Sequence, residues 1–305
     1  MPPVTSLDAA YIKSSLSHAG LFLSVGPVVY QIRSNLPIVA EGLAKLYSDY
    51  PRPTTQEFSD HLIAINRQGI LRNLVGSRVN FSYDHTHPFD GMTLGQAYAF
   101  LEWGMNWCIS VHHNEYLKIH AAVLAKNGKA IVMPGQPGAG KSTLSAALML
   151  SGWRLLSDEH ALIKLDEPKV VPLCRPVSLK NESIEIIQSF DKSAVFGPAS
   201  LDTHKGRVAH LKADIHPDSH DVNAIKVTRL IFPRFVPNAK TNLSPKTRAE
   251  SFMRAAEQSF NYSTLGQQGF FSMKGLVSAC ECSEFIYSDL DSAVALFEQL
   301  DMVTA

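Results

Sequence analysis

The sequence predicts an α/β protein, because strand-like and helix-like segments alternate through its second half. Leu117–Ala125 and Lys129–Met133 are apolar runs separated by Asn127-Gly128, the dipeptide that a two-residue type I′ hairpin requires. A helical pattern follows over Lys141–Ser151 and stops at Gly152. Later segments continue the alternation: strands at 153–157, 229–232 and 284–287, and helices at 247–261 and 288–300.

The first part of the chain, residues 1–115, is predicted to be a smaller α+β domain, with residues 116–305 as the second domain. Thr93 and Gln96 have capping-box spacing, so a long helix is expected over Thr93–His112. Gly, Asp, His and Pro are mixed through residues 76–92, which predicts a loop. This part carries no recognisable chemistry, and substrate docking is one role for it. Its other predicted elements are strands at 21–25, 28–33 and 58–66 and a helix at 36–50.

Composition limits the function classes. The 305 residues contain 28 Lys plus Arg and 28 Asp plus Glu, so no net charge draws the chain to nucleic acid or to an anionic membrane. Four cysteines in so long a chain are typical of a reducing compartment, which predicts a cytoplasmic location. Neither a secretory signal nor a membrane span is expected from the sequence.

One motif carries specific chemistry. Residues 135–142 match G-x-x-x-x-G-K-[ST] and lie between a predicted strand and a predicted helix, the context of a phosphate-binding P-loop. Its glycines let successive amides face phosphate oxygens, Lys141 would neutralise the β- and γ-phosphates, and the Ser142 hydroxyl would ligate Mg²⁺. The predicted nucleotide-binding residues are Gly135, Gln136, Pro137, Gly138, Ala139, Gly140, Lys141, Ser142 and Thr143.

Two acidic residues, Asp158 and Glu159, end the strand that follows the P-loop helix. Ligands of open α/β sheets lie beyond the carboxyl ends of strands, so this pair is expected near the phosphates. Neighbours in a strand point to opposite faces, so both acids face a metal only if the chain leaves strand geometry. One acid would hold Mg²⁺, with Ser142, and the other would accept a hydroxyl proton. The residues leave open which acid has which role.

The hairpin also predicts the position of His120. A two-residue turn at Asn127-Gly128 pairs residues whose numbers sum to 255, which places His120 opposite Gly135 at the start of the P-loop. We therefore expect His120 within reach of Asp158 or Glu159 and assign it, with Lys141, to the catalytic group. Four basic residues further along are candidates for clamping a phosphoryl group or an acidic substrate, or are solvated surface charges: Arg175, Lys180, Lys205 and Arg207.

Residues 117–165 resemble the core of bacterial HPr kinase/phosphorylase, with its strand histidine, hairpin, P-loop and acidic pair. From about residue 58 onward the chain is similar to the branch named HprK-related kinase A. The segments that carry this second resemblance are Glu102-Trp103-Gly104-x-Asn106-Trp107, His120-Ala121-Ala122, Ser157-Asp158-Glu159, Lys205-Gly206-Arg207 and Phe260-Asn261-Tyr262.

The resemblance implies a P-loop kinase core of the HPr kinase and PEP carboxykinase type, with ATP and Mg²⁺ as cofactors. It implies that His120 interacts with the acidic pair and that Glu159 corresponds to the proton acceptor. The family has Asp at that position, so the longer Glu159 side chain argues against the reverse phosphorylase reaction. RPVSLKN occupies the place of the family's glycine-rich signature, which argues against HPr itself as substrate.

The leading expectation is a kinase that transfers the γ-phosphate of ATP to a hydroxyl of a peptide or small protein. The branch's link to clusters that handle ribosomally made peptides implies this kind of partner. The alternatives are a kinase for an amino acid or sugar, and a nucleotide-gated switch in a peptide-modification complex. The acceptor, the phosphate donor, the role of residues 1–115 and a homo-oligomeric state are open.

Overall fold

The computed structural model of the protein describes residues 7–50, 58–68, 78–214 and 223–302. These residues form several sheets with helices around them, which confirms the predicted α/β class. The chain divides into two compact units, residues 1–108 with 178–215 and residues 109–177 with 216–305. Residues 178–215, assigned to the second domain from the sequence, therefore belong to the first unit.

The described elements are as follows in chain order. The helices are α1 Ala9–Ser17, α2 Pro37–Leu46, α3 Ala97–His112, α4 Lys141–Leu150, α5 Glu182–Phe190, α6 Arg248–Glu257, α7 Gly266–Ala279 and α8 Leu290–Met302. The strands are β1 Leu21–Val25, β2 Val28–Ser34, β3 His61–Arg67, β4 Arg78–Tyr83, β5 Met92–Thr93, β6 Tyr116–Lys126, β7 Lys129–Pro134, β8 Arg154–Ser157, β9 His160–Lys164, β10 Lys169–Val171, β11 Val177–Lys180, β12 Ser200–Thr203, β13 Gly206–Leu211, β14 Ile225–Phe235, β15 Asn242–Pro245 and β16 Glu281–Tyr287. In the described part of the chain, no helix is both long and apolar enough to cross a membrane.

The first unit contains a five-stranded sheet in the order β1-β2-β3-β4-β5 and a three-stranded sheet in the order β11-β13-β12. The capping box at Thr93 and Gln96 is present, and a 3₁₀ turn at Leu94–Gln96 leads into α3. Strand β4 occupies residues 78–83, where a loop was predicted. Val79 and Phe81 are buried there in the period of a strand, a signal masked by the Asp, His and Pro that follow. Residues 76 and 77 lie outside the described residues.

The second unit contains an eight-stranded sheet in the order β10-β9-β6-β7-β14-β16-β15, with β8 paired to β6. The predicted hairpin is confirmed: Asn127 and Gly128 have φ angles of 49° and 74°, and Lys126 pairs with Lys129. Strands β7, β14 and β16 run parallel, so their carboxyl ends meet at one edge of the sheet. That edge is where a ligand of such a sheet is expected.

Packing in the second unit follows the period of the strands. The odd-numbered residues of β6, from Leu117 to Ala125, are buried in one cluster with Met273, Leu276 and Val277 of α7. On the chain segment after β7, α4 is buried over most of its length, and Leu144, Ala147 and Leu148 lie on one buried face of it. The helix ends at Leu150, and the amides of Gly152 (φ 91°) and Trp153 bond back to the carbonyls of Met149 and Leu148. This is the Schellman arrangement that the predicted glycine stop requires.

Candidate active site

The P-loop connects the end of β7 at Pro134 to the start of α4 at Lys141. Gly138 and Gly140 have φ angles of 86° and 88°, a conformation that side chains disfavour. Gly140 is the N-cap of α4 and supplies no side chain that could bond the first amides of the helix. A glycine at this position lets an anion approach the amides at the start of the helix, where the positive end of the helix dipole also lies.

Two strands hold the carbonyl groups of this loop. The Phe235 amide donates to the Ala139 carbonyl at 3.1 Å, and the Tyr287 hydroxyl donates to the Gly140 carbonyl at 2.9 Å. In a trans peptide the carbonyl and the following N–H point in opposite directions. The amides of Gly140 and Lys141 are therefore aimed away from Phe235 and Tyr287. A Cβ on Gly140 would lie 2.3 Å from the Tyr287 hydroxyl. Both the positive φ angle and the close approach of Tyr287 therefore require glycine at this position.

Lys141 spans the loop. Its Nζ donates to the carbonyl oxygens of Gly135 and of Gln136, the latter at 3.1 Å. The residue is buried, with 6% of its surface exposed. The ammonium group is thus held within the loop, where it adds positive charge to the helix terminus. Thr143 follows Ser142 in the first turn of α4.

Strand β6 is the common support of the P-loop and the acidic pair. On one side its pairing with β7 ends at Ala121 and Pro134, where the P-loop begins. On the other side Val123 pairs with Ser157 of β8, and His120 pairs with His160 of β9. Asp158 and Glu159 form a bend between those two pairs. The chain leaves strand geometry there, as the two acids need if both are to serve one site.

Asp158 lies on the P-loop side of this bend. Its Oδ1 accepts a hydrogen bond of 2.7 Å from the Ser145 hydroxyl, and the Ser142 hydroxyl also bonds to its carboxylate. Only 5% of the residue is exposed. Burial, and then the negative charge of Glu159, raise the pKa of Asp158 to about 6 despite these bonds. A buried carboxylate that is costly to ionise and lies beside a second carboxylate is a group that a bound cation would stabilise.

Glu159 lies on the His120 side. Its Oε2 is 3.2 Å from the His120 Nε2, and both side chains are partly exposed, at 29% and 22%. The Glu159 carbonyl accepts from the Ala121 amide at 3.3 Å, which ties the bend to β6. The register predicted from the hairpin is confirmed up to the pair Ala121 and Pro134, one residue from His120. The expected approach of His120 to an acidic residue is therefore present.

A third segment lines the same place and was not predicted. Where β7 leaves the sheet, residues 258–260 take up the pairing with β6: the His120 amide donates to the Gln258 carbonyl at 2.8 Å, and the Phe260 amide donates to the Lys118 carbonyl at 2.9 Å. Ile119 and Ser259 form a bridge between them. The helix predicted over 247–261 ends at Glu257 for this reason.

A surface cleft of about 370 Å³ adjoins the P-loop. One wall is the loop itself, and the other comes from the carboxyl ends of β14 and β16 and from the end of α6. Arg254 and Glu284 face each other in it, 3.0 Å apart. The lining residues are Pro134, Gly135, Gln136, Pro137, Ala139, Phe232, Pro233, Arg234, Arg254, Glu257, Gln258 and Glu284.

The four predicted clamp residues do not share one unit. Arg175 is buried in the second unit near His160, whose pKa is lowered first by burial and further by the Arg175 charge. Lys180, Lys205 and Arg207 belong to the first unit. There the Lys205 Nζ lies 5.3 Å from the centre of the Trp103 ring, and Arg207 is paired with Glu185. The clamp role of all four stays a prediction.

Within the described residues, no group of three or more His, Cys, Asp and Glu side chains gathers as a metal site. The predicted magnesium residues therefore amount to two carboxylates and the Ser142 hydroxyl, and phosphate oxygens would have to complete the ligand set.

Comparison with known proteins adds little. No protein-family model matches the chain, and no curated protein matches it. Among solved structures, the chain is similar to the Hpr(Ser) kinase/phosphatase from Coxiella burnetii, with 14% identity and a TM-score of 0.26. The match covers 61% of this chain and 97% of that one. A TM-score this low does not establish a common fold, so the family resemblance seen in the motifs stays a prediction.

Proposed function

We propose that the protein is a Mg-ATP-dependent phosphotransferase that moves the γ-phosphate of ATP to a hydroxyl of a peptide or protein, on a core of the HPr kinase type. The observation that carries this proposal is the meeting of three groups at residues 120–123 of β6. The P-loop leaves on one side, the acidic bend lies on the other, and His120 stands between them. Nucleotide binding alone requires neither the His120–Glu159 contact nor the second acid.

The P-loop would bind the triphosphate. The amides of Gly140 and Lys141 and the start of α4 form the proposed anion site. The Lys141 ammonium lies 3.1 Å from the Gln136 carbonyl of the same loop. When a phosphate binds, the Lys141 ammonium would donate to its charged oxygens instead of to the carbonyls of Gly135 and Gln136, and hydrogen bonds to charged oxygens are stronger. Residues 135–143 are the proposed nucleotide-binding set.

Ser142 and Asp158 fit a magnesium ion. Their oxygens are already in contact, and the pKa of Asp158 is raised by burial beside Glu159, which is the situation that a divalent cation relieves. Ser142 and Asp158 would hold the ion, and its charge would offset the negative charge of the nucleotide. Ser145 then acts as the residue that orients Asp158, through its 2.7 Å bond to Oδ1.

Glu159 is the proposed base, with His120 as its partner. In the transfer, an acceptor oxygen forms a bond to the γ-phosphorus, and the bond between that phosphorus and the bridging oxygen breaks, leaving its electron pair on ADP. The hydroxyl proton passes to the Glu159 carboxylate. His120 lies 3.2 Å from this carboxylate and holds it in place by a hydrogen bond. Asp158, buried and bonded to two serine hydroxyls, is less available for this proton.

The shape of the site supports a peptide or protein acceptor. The side chains of Glu159 and His120 are 29% and 22% exposed, and Phe260 near His120 is 45% exposed, so the proposed base is open to solvent. A kinase for a free amino acid or sugar needs a pocket that encloses its substrate. An open site admits a chain that continues on both sides of the phosphorylated residue.

The test is transfer of labelled phosphate from [γ-³²P]ATP to proteins of a lysate and to a library of synthetic serine and threonine peptides. We expect labelling by the wild type, loss of labelling with Lys141→Ala, and full labelling with Lys164→Ala. Lys164 is the matched control, because this lysine of β9 is partly exposed and forms an ion pair with Glu167. Protein that binds ATP but labels no acceptor would contradict the kinase and favour a nucleotide-gated switch. Labelling only of free amino acids or sugars would show a small-molecule kinase.

A further inference from the structure

An aromatic ring is exposed at the edge of the proposed site. Phe260 follows α6, and 45% of its surface is accessible to solvent. Its ring centre lies 6.0 Å from that of His120, the residue that contacts Glu159. The ring therefore stands beside the residue that contacts the proposed base.

The backbone that carries Phe260 is held firmly. Asn261 is buried, its Oδ1 accepts from the Lys118 amide at 2.9 Å, and its Nδ2 donates to the Tyr116 carbonyl at 2.9 Å. The Ser259 hydroxyl donates to the Lys118 carbonyl at 2.8 Å and accepts from the Tyr262 amide at 3.1 Å. So many bonds on both sides of one residue fix where its side chain points. An exposed phenylalanine in a segment this well ordered is not a loop tip that happens to be apolar.

The Phe260 ring also stacks on the ring of His160. The two ring centres are 4.8 Å apart at 26°, and only 2% of His160 is exposed. The His160 Nε2 is 2.7 Å from the Ser110 hydroxyl, so the imidazole is held in place against the Phe260 ring. With 45% of Phe260 exposed, the part of its surface that does not lie on His160 is open to a ligand.

We infer that Phe260 is a specificity residue that contacts the acceptor and selects an apolar side chain next to the phosphorylated hydroxyl. The inference rests on the proposed function, because it needs a peptide whose hydroxyl reaches Glu159. An acceptor hydroxyl at that carboxylate brings the neighbouring residues of its chain past the Phe260 ring. Apolar side chains gain by covering the ring, and polar ones lose water there without a partner.

The test compares two synthetic serine peptides that differ only in the residues that flank the serine, leucine in one and asparagine in the other. The wild type should show a kcat/KM roughly 10-fold higher for the leucine peptide, mainly through KM. Phe260→Ala should reduce this preference to less than about 3-fold, while Phe260→Leu should keep most of it. Phe271→Ala is the matched control, since Phe271 is 54% exposed on α7 and packs on Phe270. It should leave the preference unchanged.

The outcomes separate the inference from the proposed function. Labelling of both peptides by the wild type with no leucine preference, or a preference that survives in Phe260→Ala, would overturn the inference and leave the kinase standing. A wild type that binds ATP and labels neither peptide, nor any other in the library, would overturn both. Thermal unfolding of each variant reports whether it is folded, and Phe260→Leu retains an apolar side chain if the alanine variant is not.

Discussion

The two sides of the bend between β8 and β9 differ sharply, although they begin one residue apart. Asp158 is buried against α4 and accepts hydrogen bonds from the hydroxyls of Ser142 and Ser145. Glu159 is partly exposed and faces His120. The bend between the two strands therefore places one carboxylate on the P-loop side and the other on the His120 side. Their surroundings, more than residue type, distinguish the two acids, and the separate tasks proposed for them follow from that difference.

The largest expected effect comes from Glu159→Gln. If Glu159 accepts the hydroxyl proton, this variant should lower phosphate transfer by about 10²-fold to 10⁴-fold, the usual contribution of a general base. Nucleotide affinity should stay within about 3-fold, because the P-loop is untouched. Initial rates of ³²P transfer and binding of a fluorescent ATP analogue measure the two quantities. Glu167→Gln, which alters an exposed ion pair with Lys164 and Lys169, is the matched control.

Substitution of His120 tests whether this residue acts through Glu159. His120→Gln alone should cost about 10-fold to 100-fold in transfer, the size seen when a partner that orients a reacting group is removed. In the Glu159→Gln background the same change should cost much less, because the contact that it removes is already weakened. Additive losses would show that His120 and Glu159 act separately. A Glu159→Gln variant with wild-type rates would reverse the roles given to the two acids.

The next effect is on stability and concerns Asp158. Its pKa is raised by burial from an ordinary value near 4 to about 6, so the folded state binds the proton more tightly than the unfolded state does. This contribution to stability is present below pH 4 and is lost as the pH rises through 6. The loss amounts to about 2 to 3 kcal/mol in nucleotide-free protein, and Asp158→Asn should not show it. Urea unfolding of both proteins between pH 4 and 7 measures the difference.

Asp289 provides a control in which stability depends on pH in the opposite direction. It caps α8 by accepting from the Ser292 amide at 2.8 Å, and that hydrogen-bonding lowers its pKa. Its contribution is present above the unfolded pKa and lost as the pH falls, so Asp289→Asn should be less stable than the wild type at pH 7 and equal to it in acid. If Asp158→Asn shows the same direction as Asp289→Asn, the carboxylate of Asp158 is stabilised as an anion. The contrast between the two sides of the bend would then fail.

The parts of this site that the sequence predicted are those set by local chemistry. Asn127-Gly128 favours one kind of tight turn, and a turn fixes the register of its strands, so the pairing of β6 with β7 could be predicted as far as Ala121 and Pro134. The last predicted pair, His120 with Gly135, does not form, because the His120 amide bonds to the Gln258 carbonyl. Gly152 likewise predicted the end of α4. These inferences need only residues that are close in sequence.

The parts that were missed depend on residues far apart in sequence. Residues 258–260 pair with β6, from which they are separated by about 140 positions in the sequence, and no turn or residue spacing predicts that pairing. The return of the chain to the first unit after residue 177 is of the same kind, and it separates Lys180, Lys205 and Arg207 from the unit that holds the P-loop. Long-range pairing is decided by the packing of whole elements, which a single sequence does not reveal.

The smallest expected effect comes from Tyr287→Phe, which acts on the Asp158 side alone. The Tyr287 hydroxyl holds the Gly140 carbonyl at the start of α4, the helix that carries Ser142 and Ser145. Its removal should cost about 1 kcal/mol of unfolding free energy, because the same carbonyl keeps a 3.0 Å bond from the Leu144 amide. Nucleotide affinity should weaken slightly, while the pH dependence of transfer, set on the Glu159 side, should not move. Tyr262→Phe is the control, since the Tyr262 ring packs on Phe252 and makes no described bond to the Gly140 carbonyl. A shift in the pH profile of Tyr287→Phe would mean that the two sides of the bend are coupled through α4.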